Sequence, residues 1–138
     1  MTDTTTTESD ARALDLLDRY VRFWNAGSEE EQRRLADEVF AEGVEYSSHV
    51  GVFGGKQALA GFRRQFADHV GAFTLRLREQ PQRHHHCARL KWELLTGKEE
   101  TSFATGTDVL SIADNGRIVS IIAFLDQPPE GFTPDPHR

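Results

Sequence analysis

The sequence predicts an α+β fold in which a curved antiparallel sheet wraps around three N-terminal helices, a cone-shaped architecture with the element order ααβαββββ. Two observations carry this. Apolar residues recur at helical spacing in stretches up to Val70, and from Phe73 onward they alternate with polar ones. Turn signals punctuate that second half at hairpin spacing, the strongest being Asn115-Gly116.

Taken in order, Leu16, Leu17, Tyr20, Val21, Phe23 and Trp24 form the first helical stripe, which stops at Asn25-Ala26-Gly27, where glycine suits a helix end. Ser28 followed by Glu31 is a capping-box pattern. It opens a second helix with a buried stripe of Leu35, Ala36, Val39 and Phe40, ended by Gly43. Val44 to Ser48 reads as a short strand and His49 to Gly55 as a glycine-rich loop. Leu59, Phe62, Phe66 and Val70 mark the third helix.

The period then changes. Phe73, Leu75 and Leu77 alternate with polar residues, Pro81 interrupts, and Ala88, Leu90, Trp92 and Leu94 alternate with Cys87, Arg89, Lys91 and Glu93. Gly97-Lys98 turns into a strand from about Thr101 to Ile112, and Asn115-Gly116 leads into the last strand, Arg117 to Asp126. Residues 1–10 read as a disordered leader, 11–127 as a single domain, and 128–138 as a proline-rich tail.

The 138-residue length suits one domain with a sizeable core. No apolar run approaches the ~20 residues of a membrane span, and the leader lacks the basic and apolar regions of a secretory signal, so a cytoplasmic protein with no membrane partner is expected. Cys87 is the single cysteine, which excludes an internal disulfide. A net charge of −6 with dispersed arginines argues against nucleic acid. No phosphate loop, nucleophile elbow or cysteine–histidine nucleophile pattern occurs.

Interest therefore falls on polar residues that share faces with apolar ones. Tyr20 lies within the first helical stripe, where a buried hydroxyl needs a partner. Asp108 shares strand parity with Leu110 and Ile112, so its carboxyl is expected inside, with burial raising its pKa far enough to favour a protonated, hydrogen-bond-donating form. In the run His84-His85-His86, His86 shares parity with Ala88, Leu90 and Trp92, which makes it a candidate for proton transfer. His49 is a second candidate, and His69 and Asp126 read as surface residues. The His-x-His pair lacks the further ligands of a metal site, so no metal is expected.

Several segments together resemble the nuclear transport factor 2-like superfamily, which contains ketosteroid isomerases and SnoaL-like polyketide cyclases. Tyr20-Val-Arg-Phe-Trp-Asn-Ala-Gly resembles the family's first-helix ending, and Gly55-Lys-Gln-Ala-Leu-Ala-Gly-Phe its third-helix opening. Thr107-Asp-Val-Leu through Asn115-Gly-Arg-Ile-Val-Ser resembles its last hairpin, and the likeness spans about Ala11 to Gln127. It places Tyr20 and Asp108 where ketosteroid isomerases carry two donors to a developing oxyanion. It also places Ser48 where those isomerases carry their general-base aspartate, and Ala123 where the cyclases carry theirs.

What the resemblance implies is a cofactor-free isomerase or cyclase acting on a hydrophobic carbonyl or polyene compound, of the kind met in polyketide biosynthesis, with Tyr20 and Asp108 as donors. Because both usual base positions are empty of carboxylate, three consequences stay open: His86 or His49 replaces the base, polarisation suffices, or the pocket only binds. Trp24, Ser48, Phe62, Trp92, Ile121, Ala123 and Leu125 are expected to line that pocket. A homodimer through the convex sheet face is also implied. The alternative is a non-catalytic small-molecule-binding or protein-association module, since one fold hosts both roles.

Overall fold

The computed structural model describes residues 15–129, so the expected leader and most of the expected tail lie outside the described residues. Helix α1 occupies residues 15–24 and is followed by α2 (Glu29–Val39), β1 (Phe40–Ser48), β2 (Gly51–Gly54) and α3 (Lys56–Val70). Strands β3 (Phe73–Leu77), β4 (Gln82–His84), β5 (Cys87–Thr96), β6 (Thr101–Ile112) and β7 (Ile118–Gln127) complete it. The α+β class and the three leading helices are as predicted, with two short strands, β2 and β4, added.

The capping signals act as their chemistry dictates. Ser28 Oγ accepts from the Glu31 amide at 3.1 Å, satisfying a donor that the helix start leaves free, while the Glu31 carboxylate accepts from the amide of Gly27, one residue before the cap, at 3.4 Å. The far end of α2 differs from expectation. Phe40 is extended (φ −104°, ψ 143°), so the chain passes from helix into β1 with no loop, and Gly43 lies within that strand. Phe40 remains fully buried, because both a helix end and a strand start can present it to the same core.

All strands join one sheet in the order β2-β1-β7-β6-β5-β3, with β4 on β5 beside β3. The sheet is mixed, since β1 and β7 run parallel and every other pair antiparallel. A pairing between the first long strand and the last leaves no local hairpin signal, which is why the sequence suggested an antiparallel sheet throughout. Register shifts interrupt the β1–β7, β5–β6 and β6–β7 pairs, and such bulges bend a sheet around what it covers.

One end of the cone is solid. Leu17, Tyr20 and Phe23 of α1, Val39, Phe40 and Val44 at the α2–β1 junction, and Leu90, Leu110, Ile118 and Ile121 of the sheet are buried together. Toward the other end, Phe62 and Phe66 of α3 and Phe103 of β6 are only half-buried. Two side chains tie α1 to the open end. Arg63 of α3 donates to the carbonyls of Trp24 (3.0 Å) and Ala26 (2.8 Å), satisfying groups a helix end leaves unpaired. Asn25 donates to the Leu75 carbonyl at 2.8 Å and accepts from its amide at 2.7 Å, acting as a strand partner for β3.

Asn25→Ala removes both bonds to Leu75 and leaves an amide and a carbonyl of an edge strand without that partner. It is expected to lower the unfolding free energy by about 2 kcal/mol. Urea unfolding measures this, and an unchanged midpoint would show that solvent replaces the side chain at no cost.

Candidate active site

On β6 the residues Gly106, Asp108 and Leu110 share the inward face, opposite Trp92, Leu90 and Ala88 of β5. Asp108 is therefore placed in the interior by the same alternation that buries its neighbours, and it is 3% exposed. Its carboxylate is bonded at both oxygens. The Tyr20 hydroxyl donates to Oδ2 at 2.6 Å and the Trp92 indole donates to Oδ1 at 2.8 Å. Such short, charge-assisted bonds are stronger than neutral ones.

Burial pushes the Asp108 pKa up to about 6, and the bonds from Tyr20 and Trp92 pull against that rise. The group is thus mainly a carboxylate at neutral pH. Tyr20 and Asp108 do meet, but as donor and acceptor: the Tyr20 proton is already engaged, and Tyr20 is not part of the cavity wall. Burial, reinforced by the charge of Asp108, raises the Tyr20 hydroxyl well above the usual phenol range. The Trp24 indole sits beside that hydroxyl and tempers the rise, yet its Nε1 completes no hydrogen bond of regular geometry and is buried.

Beside Asp108 lies a cavity of about 740 Å³. Trp24 of α1, Phe62 and Phe66 of α3, Tyr46 of β1, Leu75 of β3, Trp92 and Leu94 of β5, and Ala123 and Leu125 of β7 wall it, with Asp108 the single carboxylate among its lining residues. Ala123 faces Asp108 across the β6–β7 pair, so the carboxylate has only a methyl group beside it on that strand. Ser48, His49 and His69 also line the cavity, and the Ser48 hydroxyl is engaged by the Val50 amide at 3.2 Å.

Two expected residues lie elsewhere. His86 belongs to the two-residue turn between β4 and β5, is 72% exposed at its side chain, and points its Nε2 toward Asp114 at 3.9 Å. The strand parity read for it does not apply, because the chain reverses at His85, whose φ is 52°. Ile121 is fully buried in the solid end of the cone and does not reach the cavity.

Tyr46 was missed. Its ring is buried between Trp24 and Phe62, and burial and the nearby Asp108 charge raise its hydroxyl well above the usual range. The signal was available, since Val44, Tyr46 and Ser48 alternate on one face of β1.

No family model and no curated protein matches the chain. Among solved structures, a candidate isomerase of the SnoaL-like family from Agrobacterium tumefaciens superposes with a TM-score of 0.78 at 27% identity, covering 84% of this chain and 98% of that one. The chain belongs to the nuclear transport factor 2-like superfamily. Two more distant members share the fold: a candidate SnoaL-like polyketide cyclase from Jannaschia (TM-score 0.70, 12% identity, 84% of this chain and 86% of that one), and a nuclear transport factor 2-like protein of unknown function from Exiguobacterium (0.66, 19%, 80% and 98%). Among the described residues of this superfamily member, no helix is long and apolar enough to cross a membrane.

The raised pKa of Asp108 has a consequence for stability. Its ordinary value is 3.8 and its folded value about 6, so between those limits the folded state holds more protons than the unfolded one, and stability falls as pH rises. The loss contributed by this group is about 3 kcal/mol once both limits are passed. Comparing denaturant unfolding of the wild type and Asp108→Asn between about pH 4 and 7 isolates it. The wild type is expected to lose stability relative to the variant across that window, and parallel curves would contradict the assignment.

Proposed function

We propose that the protein is an acid–base isomerase or cyclase for a hydrophobic carbonyl or polyene compound, with Asp108 as the group that moves the proton. The observation that carries this is a buried carboxylate, held at both oxygens by Tyr20 and Trp92, in the wall of a mainly apolar and aromatic cavity. A carboxylate with a pKa near 6 is strong enough to accept a proton from carbon and acidic enough to return it near neutral pH. Each oxygen keeps a lone pair beyond the bond it already accepts.

In this reading the substrate carbonyl oxygen lies against the hydroxyl of Tyr46, a lining residue of the cavity. Asp108 removes a hydrogen from the carbon beside the carbonyl, the developing charge on oxygen is stabilised by Tyr46, and the protonated carboxyl delivers the proton to another carbon. The aromatic walls hold a flexible or polycyclic skeleton in the reacting geometry, which also serves ring closure. The Agrobacterium and Jannaschia proteins, described as a candidate isomerase and a candidate polyketide cyclase, support the same reaction class. Tyr20 becomes a holder of the base rather than an oxyanion donor, and His86, outside the cavity, has no part.

A homodimer is the second element of the proposal. Val52, Ile122 and Phe124 are 64%, 44% and 49% exposed on the outer face of β2 and β7, an apolar surface that a second copy would cover. Ile122→Lys is expected to give a monomer by light scattering, where the wild type gives a dimer. A monomeric wild type at high concentration would remove this part.

The catalytic reading is tested with a panel of apolar cyclic and polycyclic ketones in deuterated water, following exchange of the hydrogens beside the carbonyl by NMR. The wild type is expected to catalyse exchange with a rate that falls as pH drops below about 6, since Asp108 must be ionised. Asp108→Asn is expected to lose about a hundredfold to ten-thousandfold and Tyr46→Phe about a hundredfold, both remaining folded. Binding of panel members without any exchange would favour the alternative, a binding module of the same fold.

A further inference from the structure

Among the described glycines, Gly106 stands apart. A Cβ built on it would lie 2.1 Å from Cζ2 and 2.6 Å from Cε2 of Trp92, and 2.5 Å from the Phe124 carbonyl oxygen. No other described glycine would bring a Cβ closer than 3.7 Å to such an atom. Its backbone is not left-handed, so conformational freedom is not what requires glycine here.

The register explains the crowding. Trp92 faces Gly106 directly across the β5–β6 pair, and Leu90 faces Asp108. Asp108 is thus the diagonal neighbour of Trp92, at a cross-strand separation of roughly 7–8 Å, which only a long side chain lying flat along the strand can bridge. The indole does this by crossing the space over Gly106, and its Nε1 then reaches Oδ1 of Asp108 at 2.8 Å. Any side chain at that position occupies the place of the six-membered ring.

We propose that Gly106 is a positioning residue for Asp108: its missing side chain is the seat on which the Trp92 indole lies, and that seat delivers one of the two hydrogen bonds holding the carboxylate. The inference builds on the reading of Asp108 as the proton-transfer group, but its readouts need no substrate, so the two can fail separately.

The experiment compares Gly106→Ala, Trp92→Leu and the double variant with the wild type. It records the melting temperature, the pH at which the Asp108 carboxyl carbon titrates by NMR, and the indole N–H resonance of Trp92. Loss of the Trp92 bond removes a stabiliser of the charged form, so Asp108 in Gly106→Ala is expected to titrate higher by about one pH unit. The Trp92 resonance, expected in the wild type to move with that titration, should no longer follow it. In the Trp92→Leu background the added methyl should lower the melting temperature much less than in the wild type, and Asp108 should titrate as in Trp92→Leu alone.

A folded Gly106→Ala in which Asp108 titrates at its wild-type pH overturns the proposal. So does an alanine penalty that is as large without the indole as with it, because the Phe124 carbonyl would then be the sole reason for glycine. Should Gly106→Ala fail to fold, the double variant decides: recovery of a folded protein supports the seat, and continued failure rejects it.

Discussion

Everything distinctive in this molecule depends on keeping one carboxylate out of water. Burying Asp108 without partners would cost several kcal/mol or force it to stay protonated. Tyr20 from α1 and Trp92 from β5 meet it at separate oxygens, so this group links the helix layer to the sheet in the interior. The demands then spread outward. Trp92 needs the bare backbone of Gly106 beneath it, and Ala123 gives the cavity side of the carboxylate room. The raised pKa means that the carboxylate itself opposes folding at neutral pH, the kind of stability sacrifice expected at a functional site.

The cavity is the other half of the arrangement. The bulged sheet curls around three helices, but the side chains fill only the end where α1, α2 and the middle of the sheet converge. At the opposite end the aromatic residues of α3 reach inward and find space, and Arg63 and Asn25 hold the end of α1 there through backbone groups. The fold therefore supplies an enclosure, and the chemistry comes from the few polar atoms in its wall. Solved relatives with the same fold range from a candidate isomerase to a protein of unknown function, so the fold leaves function to those atoms.

Most of the secondary structure was legible because it is locally encoded. The Ser28 cap, the Asn25-Ala26-Gly27 stop, the Asn115-Gly116 hairpin and the alternation of β5 each act over a few residues. The inward placement of Asp108 followed from the same alternation. What escaped the sequence was non-local or ambiguous in period. Phe40 fits both a helical stripe and a strand, the parallel β1–β7 pair joins distant segments, and the two-residue turn at His85-His86 breaks a parity that looked continuous. The direction of the bond between Tyr20 and Asp108 was also hidden: it depends on Trp92 arriving from a third element, which turns a supposed donor into a doubly bonded acceptor.

The chemistry of the cavity turns on the state of Asp108 in the free protein, and carboxyl-carbon NMR of the wild type, titrated with Asp108→Asn to assign the signal, measures it directly. One buried aspartate signal with an apparent pKa of about 6 is expected. A value at or below the ordinary 3.8 would mean that the carboxylate is solvated or held as a structural anion, and would contradict the role proposed for it as the group that moves a proton.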